Sequence, residues 1–125
     1  MSNTNNPVVW FEIYVQDMAR ARKFYESVFQ IGLLSLESPG MEYWTFPMRE
    51  NASGASGALV KMEGCTSGGG STVVYFACAD CAVEAGRAAA HGGSIFKEKF
   101  AIGEYGFIAL VYDTEGNMIG LHSMQ

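Results

Sequence analysis

A glycine-rich stretch, Glu63-Gly-Cys-Thr-Ser-Gly-Gly-Gly-Ser71, parts the chain into two halves that run through the same elements in the same order. It offers almost no apolar surface to bury, so residues 63–71 read as a linker. On either side the pattern predicts a strand, a helix, a glycine stop and then three strands. Identity between the halves is faint, so the repeat rests on element order. A chain built this way folds as two similar modules, residues 8–62 and 72–125, with residues 1–7 as a disordered polar tail.

In the first module, Val8 to Val15 is rich in β-branched and aromatic residues and predicts a strand. Period-two alternation sets Trp10, Glu12 and Tyr14 on one face, and Phe11, Ile13 and Val15 on the other. Asp17 supplies a helix N-cap. Met18, Ala21, Tyr25, Val28 and Phe29 then recur at helical spacing up to a stop at Gly32. Strands follow from Leu33 to Leu36, from Glu42 to Met48 and from Gly57 to Met62, with a turn at Ser38-Pro-Gly40.

In the second module, Thr72 to Ala77 predicts a strand and Asp80 a cap. Ala82 to His91 predicts an alanine-rich helix closed by Gly92-Gly93, and Ser94 to Phe100 another strand. A hairpin ends the module. Its apolar runs, Phe107 to Tyr112 and Met118 to Met124, flank the polar turn Asp113-Thr-Glu-Gly-Asn117.

The formal charge of −5, with no Lys or Arg run, argues against nucleic acid or an anionic membrane surface as a partner. No apolar run approaches the ~20 residues of a membrane span. The first six residues are polar apart from Met1 and uncharged, unlike a signal peptide. The three cysteines, Cys65, Cys78 and Cys81, are odd in number. Cys78-Ala-Asp-Cys81 has redox-type spacing, but a redox pair wants its first Cys at a helix N-terminus and zinc wants more ligands. Reduced thiols and a cytoplasmic location are the expectation.

Four segments carry a resemblance to a known family. They are Trp10-Phe-Glu-Ile-Tyr-Val-Gln-Asp17 leading into Lys23-Phe-Tyr25, then Gly57-Ala-Leu-Val-Lys61, Ile102-Gly-Glu-Tyr-Gly106, and Asp113-Thr-Glu-Gly-Asn-Met-Ile-Gly-Leu-His122. Together they resemble the glyoxalase/bleomycin resistance protein/extradiol dioxygenase group, the vicinal oxygen chelate superfamily, with its lactoylglutathione lyase-related proteins. The resemblance implies an α+β fold of two βαβββ modules, each a curled mixed sheet. Paired modules would enclose a cavity, commonly within a homodimer. It also implies a divalent metal held by His, Gln or Glu from the first and last strands. The matching positions here are Trp10, Val74, Gly57 and Gly120, and none of them is a side-chain ligand. The usual metal site is therefore expected to be missing, and no cofactor is certain.

A step of two residues along a strand keeps the face and moves ~6.6 Å. That step leads from Trp10 to Glu12, from Gly120 to His122, from Val74 to Phe76 and from Gly57 to Leu59. Glu12 and His122 are thus the candidate catalytic pair. A carboxylate can fix the tautomer of an imidazole, and an imidazole can move a proton near neutral pH. If a metal binds, the same pair would serve as two ligands beside a third, with Glu42, Glu63 and Glu104 as candidates. Trp10, Tyr14, Trp44, Leu59, Phe76, Tyr105, Gly57 and Gly120 complete the expected cavity lining. The sequence leaves open the plainer reading, in which Glu12 faces solvent and His122 is a strand residue.

Two functions fit these features. One is a glyoxalase-like enzyme performing isomerisation, lyase chemistry or proton transfer next to a carbonyl. The other is a non-catalytic protein that sequesters a small molecule, as bleomycin-binding members of the group do. An acidic cup lined with aromatic side chains suits a cationic ligand.

Overall fold

The computed structural model describes residues 6–125. The chain is α+β and runs β1 (Val8–Tyr14), α1 (Met18–Phe29), β2 (Leu34–Ser35), β3 (Met41–Thr45), β4 (Ser56–Met62), β5 (Thr72–Ala77), α2 (Cys81–Ala90), β6 (Ser94–Ala101), a 3-10 turn (Gly103–Tyr105), β7 (Phe107–Tyr112) and β8 (Met118–Ser123). It divides into two compact units, Trp10–Thr72 and Val73–Gln125, the second joined by the described residues before Trp10. The start of β1 thus groups with the second unit, where the Ala77 amide donates to the Pro7 carbonyl at 2.9 Å. Of the expected tail, residues 1–5 lie outside the described residues.

In the first unit the strands lie in the order β2-β3-β4-β1, with β1 and β4 parallel and the other pairs antiparallel. Asp17 caps α1, its side chain accepting from the Arg20 amide at 3.0 Å. The helix ends at Gln30, which takes the left-handed conformation at φ 52°, two residues before the glycine expected to stop it. The Gln30 and Ile31 amides both return to the Glu26 carbonyl, which closes the helix without Gly32. β3 stops at Thr45 rather than Met48, because Pro47 has no amide to give the ladder. Val15, Met18, Leu33 and Leu59 form the core, with Ile13, Ala21, Tyr25, Trp44 and Phe46 packed around them. The Ile13 face of β1 is therefore the face that α1 covers.

In the second unit the order is β5-β8-β7-β6, with β5 and β8 parallel and the hairpin pairs antiparallel. The alanines of α2 are a packing device. Ala85 is 2% exposed and packs with the fully buried Cys81 and Ala109, so the helix closes tightly on the sheet. Asp80 caps the helix by accepting from the Ala82 amide at 3.1 Å, and Lys99 pairs with the same oxygen at 2.9 Å. Those two donors, Lys99 first, hold the Asp80 carboxyl below the usual carboxylate range. The hairpin turn is pinned by Asp113, which accepts from the amides of Glu115 and Asn117 and from the Asn117 side chain.

Candidate functional site

Alternation along β1 carries Trp10, Glu12 and Tyr14 to the face away from α1. The register then adds a residue from β3. Tyr14 pairs with Val60, and Val60 pairs with Tyr43, so Tyr43 stands on the same face as Tyr14. Among the described residues, three donors converge on the Glu12 carboxylate. Tyr43 donates to Oε2 at 2.6 Å and Tyr14 to Oε1 at 3.0 Å, while the Trp10 indole lies 3.4 Å from Oε2 and 3.1 Å from the Tyr43 oxygen. Burial pushes both phenols well above the ordinary tyrosine value, and the Glu12 charge pushes them further. They stay protonated at neutral pH, as hydroxyls able to donate to a carboxylate or to a developing oxyanion.

Not every residue expected on this face is there. Ile13, Leu59 and Trp44 form one register row, and all three belong to the core beneath α1. Leu59 is wholly buried, and Trp44 carries the Arg22 guanidinium 3.6 Å above its ring. Gly57 also lies in the α1 phase, paired with Phe11. A Cβ there would fall 2.6 Å from the Phe11 ring, so this glycine makes room for Phe11 and not for a ligand.

In the second unit the expected positions Val74 and Phe76 are one residue out of phase. Phe76 packs into the core under α2, whereas Tyr75 pairs with Gly120 and Ala77 with His122. Gly120 offers no free space either. A Cβ on it would meet the Tyr75 ring at 2.2 Å, and Tyr75 is 6% exposed. His122 sits on β8 between Ala77 and Ile108, with its Nε2 2.6 Å from the Tyr105 carbonyl. A carbonyl can only accept, so Nε2 carries the hydrogen. Tyr105 thus meets His122 through its backbone, while its ring is 52% exposed. Glu12 and His122 belong to different units.

The residues do not fit the divalent metal that the family resemblance implies. Among the described residues no three His, Cys, Asp or Glu side chains gather closely enough to hold an ion. The Glu12 oxygens face O–H and N–H hydrogens, and the space at Gly120 is taken by Tyr75. The cysteines are free thiols. Burial pushes the Cys78 thiol up to about 11, and the Cys81 amide at the start of α2 is tied to Ser123 Oγ at 3.0 Å. A thiol that holds its proton so firmly is a packing residue rather than a redox nucleophile.

Two open surface hollows flank β3. One of ≈540 Å³ is bordered by Gln16, Glu42 and Lys61, and one of ≈680 Å³ by Leu36, Tyr43 and Trp44. Neither includes Glu12, so the convergence of polar groups marks the site better than the hollows do. Tyr43 is the site residue missing from the sequence expectation. Its alternation against Trp44 was visible, but the register bringing it to Glu12 was not.

A model of the Glyoxalase/Bleomycin resistance protein/Dioxygenase superfamily matches residues 8–121. Among solved structures, methylmalonyl-CoA epimerase from Mycobacterium tuberculosis is 15% identical with a TM-score of 0.70, over 100% of this chain and 93% of that one. A Streptomyces coelicolor methylmalonyl-CoA epimerase in complex with 2-nitronate-propionyl-CoA is 13% identical with a TM-score of 0.65, over 93% and 92%. A hypothetical protein from Bacillus halodurans C-125 is 12% identical with a TM-score of 0.70, over 94% of each chain. At such identities the likeness carries the fold alone. No curated protein matches the chain.

Proposed function

The chain belongs to the glyoxalase/bleomycin resistance protein/dioxygenase superfamily, and from that membership we propose that it is a small-molecule enzyme that moves a proton next to a carbonyl without the usual metal ligands. Glu12 is the base. One observation carries this reading: a carboxylate on the open face of β1, oriented by the hydroxyls of Tyr14 and Tyr43. A base held in one geometry loses less entropy on reaching the transition state, and positioned proton transfer contributes about 10²–10⁴ in rate. Two structural neighbours are methylmalonyl-CoA epimerases, which supports this reaction class, since inversion at a carbon beside a thioester is itself a proton transfer.

The test is deuterium uptake by the hemithioacetal of methylglyoxal and glutathione in D2O, followed by proton NMR. Glu12→Ala is expected to slow uptake by about 10²–10⁴. Equal rates in wild type and variant would remove Glu12 as the base. A second reading, ligand sequestration without turnover, is favoured by the indole and two phenols around the carboxylate in a chain of net charge −5, which suits a cationic ligand. It predicts saturable binding of an aromatic cation with no uptake in any variant.

The assembly belongs to the same proposal: a cytoplasmic homodimer. α1 exposes Phe24, Val28 and Phe29, and β2 exposes Leu34, apolar surface that a second copy would cover. Light scattering is expected to return twice the mass of the chain, and a monomer at micromolar concentration would refute the arrangement.

A further inference from the structure

The two hydroxyls on Glu12 are not equivalent. The Trp10 indole lies 3.1 Å from the Tyr43 oxygen, and an indole N–H only donates. The Tyr43 oxygen therefore accepts, and its hydrogen is committed to Glu12 Oε2 at 2.6 Å. Tyr14 bonds to Oε1 at 3.0 Å, and among the described residues its hydroxyl oxygen accepts from no protein donor. A proton reaching Oε2 would collide with a hydrogen that Trp10 keeps from turning away. A proton reaching Oε1 turns that oxygen into a donor toward Tyr14 and sets the Tyr14 hydrogen free.

We propose that Tyr14 is a catalytic residue of this site, the hydroxyl that donates to an enolate oxyanion, while Tyr43, fixed by Trp10, is the positioning residue for Glu12. The inference rests on the reading of Glu12 as base. In the step, a C–H bond beside the substrate carbonyl breaks and its proton bonds to Glu12 Oε1. The C–H electron pair becomes the C=C bond of the enolate, and the carbonyl π pair moves onto oxygen. There it accepts the hydrogen that Tyr14 has turned away from Glu12. Reprotonation of carbon reverses each transfer. Donors aimed at charge that appears only in the transition state are worth about 10²–10³ in rate.

Glu12→Gln reproduces the protonated base without any substrate. Its amide oxygen takes the place of Oε2, facing Tyr43 and Trp10, and its NH2 takes the place of Oε1, donating to the Tyr14 oxygen. The probe is 4-nitrophenolate, a stable oxyanion whose absorbance reports binding. The Glu12→Gln protein is expected to bind it at least about tenfold tighter than wild type, whose carboxylate repels it. Adding Tyr14→Phe should weaken binding roughly tenfold to a hundredfold, the loss of one charge-assisted hydrogen bond. Adding Tyr43→Phe should change it by no more than about threefold, because that hydroxyl points at the side chain of residue 12. Circular dichroism and a melting curve check that each variant is folded. No binding by Glu12→Gln, or equal losses from the two tyrosine changes, overturns the inference. Selective loss with Tyr14→Phe supports it; if the hemithioacetal nevertheless takes up no deuterium, that substrate fails while the oxyanion-donor role of Tyr14 stands, so the two failures are distinguishable.

Discussion

Gly57→Ala is expected to prevent β1 from closing on β4 and to lower the urea midpoint more than any other single methyl added to the sheet. Gly57 pairs with Phe11 in the parallel ladder. A Cβ at 57 would stand 2.3 Å from the Phe11 carbonyl oxygen and 2.6 Å from its ring. The ring can swing, but the oxygen belongs to the backbone and moves only if the strands part. Overpacking ordinarily costs about 1–3 kcal/mol, and a backbone clash places this substitution at or above the top of that range. Gly120→Ala is the control. The three atoms nearest its Cβ all belong to the Tyr75 ring, the closest at 2.2 Å, so relief there asks a side chain rather than a strand to move. A Gly57→Ala protein that melts with wild type, or one more stable than Gly120→Ala, would show that the ladder yields more easily than its register implies.

Glu12→Leu removes the acceptor on which Tyr14, Tyr43 and Trp10 converge. Polar groups deprived of partners in partly buried surroundings cost about 1–3 kcal/mol each, less where water can reach them, so a total loss of about 2 kcal/mol is expected. The alkaline response carries a second signature. The folded state holds the Tyr14 and Tyr43 protons more tightly than the unfolded chain does, through burial first and then the Glu12 charge. The contribution is therefore complete below the unfolded tyrosine value of about 10 and declines as pH rises beyond it. Denaturant titrations from neutral pH to about pH 11 should show wild type losing stability above about pH 10. A wild-type curve that is flat or rising through that interval would contradict the protonation state assigned to the site.

The sequence was readable where a local rule governs. Asp17 and Asp80 cap their helices because short acidic side chains satisfy first-turn amides wherever the chain turns into a helix. The Asp113 turn and the strands it joins follow from the same kind of local chemistry. Pairing was harder to read. Leu59 and Trp44 looked like cavity residues because alternation gives two faces without saying which of them a helix will cover. One residue of phase moved Phe76 into the core and brought Tyr75 to Gly120. Tyr43 is thirty-one positions from Glu12, and only the β3–β4–β1 register carries it there. Gln30 ended α1 before Gly32 by taking the left-handed conformation itself, with its own amide and that of Ile31 returning to the Glu26 carbonyl.

β8 sits between β5 and β7, parallel to the first and antiparallel to the second. It is synthesised after both of them. A growing chain thus carries two open strand edges, those of β5 and β7, until Met118–Ser123 leaves the ribosome and slots in. Ser123 and His122 then fasten the helix start at Cys81 and the carbonyl of Tyr105 in the same event. The sheet of the second module is therefore complete only once β8 is in place between its two neighbours.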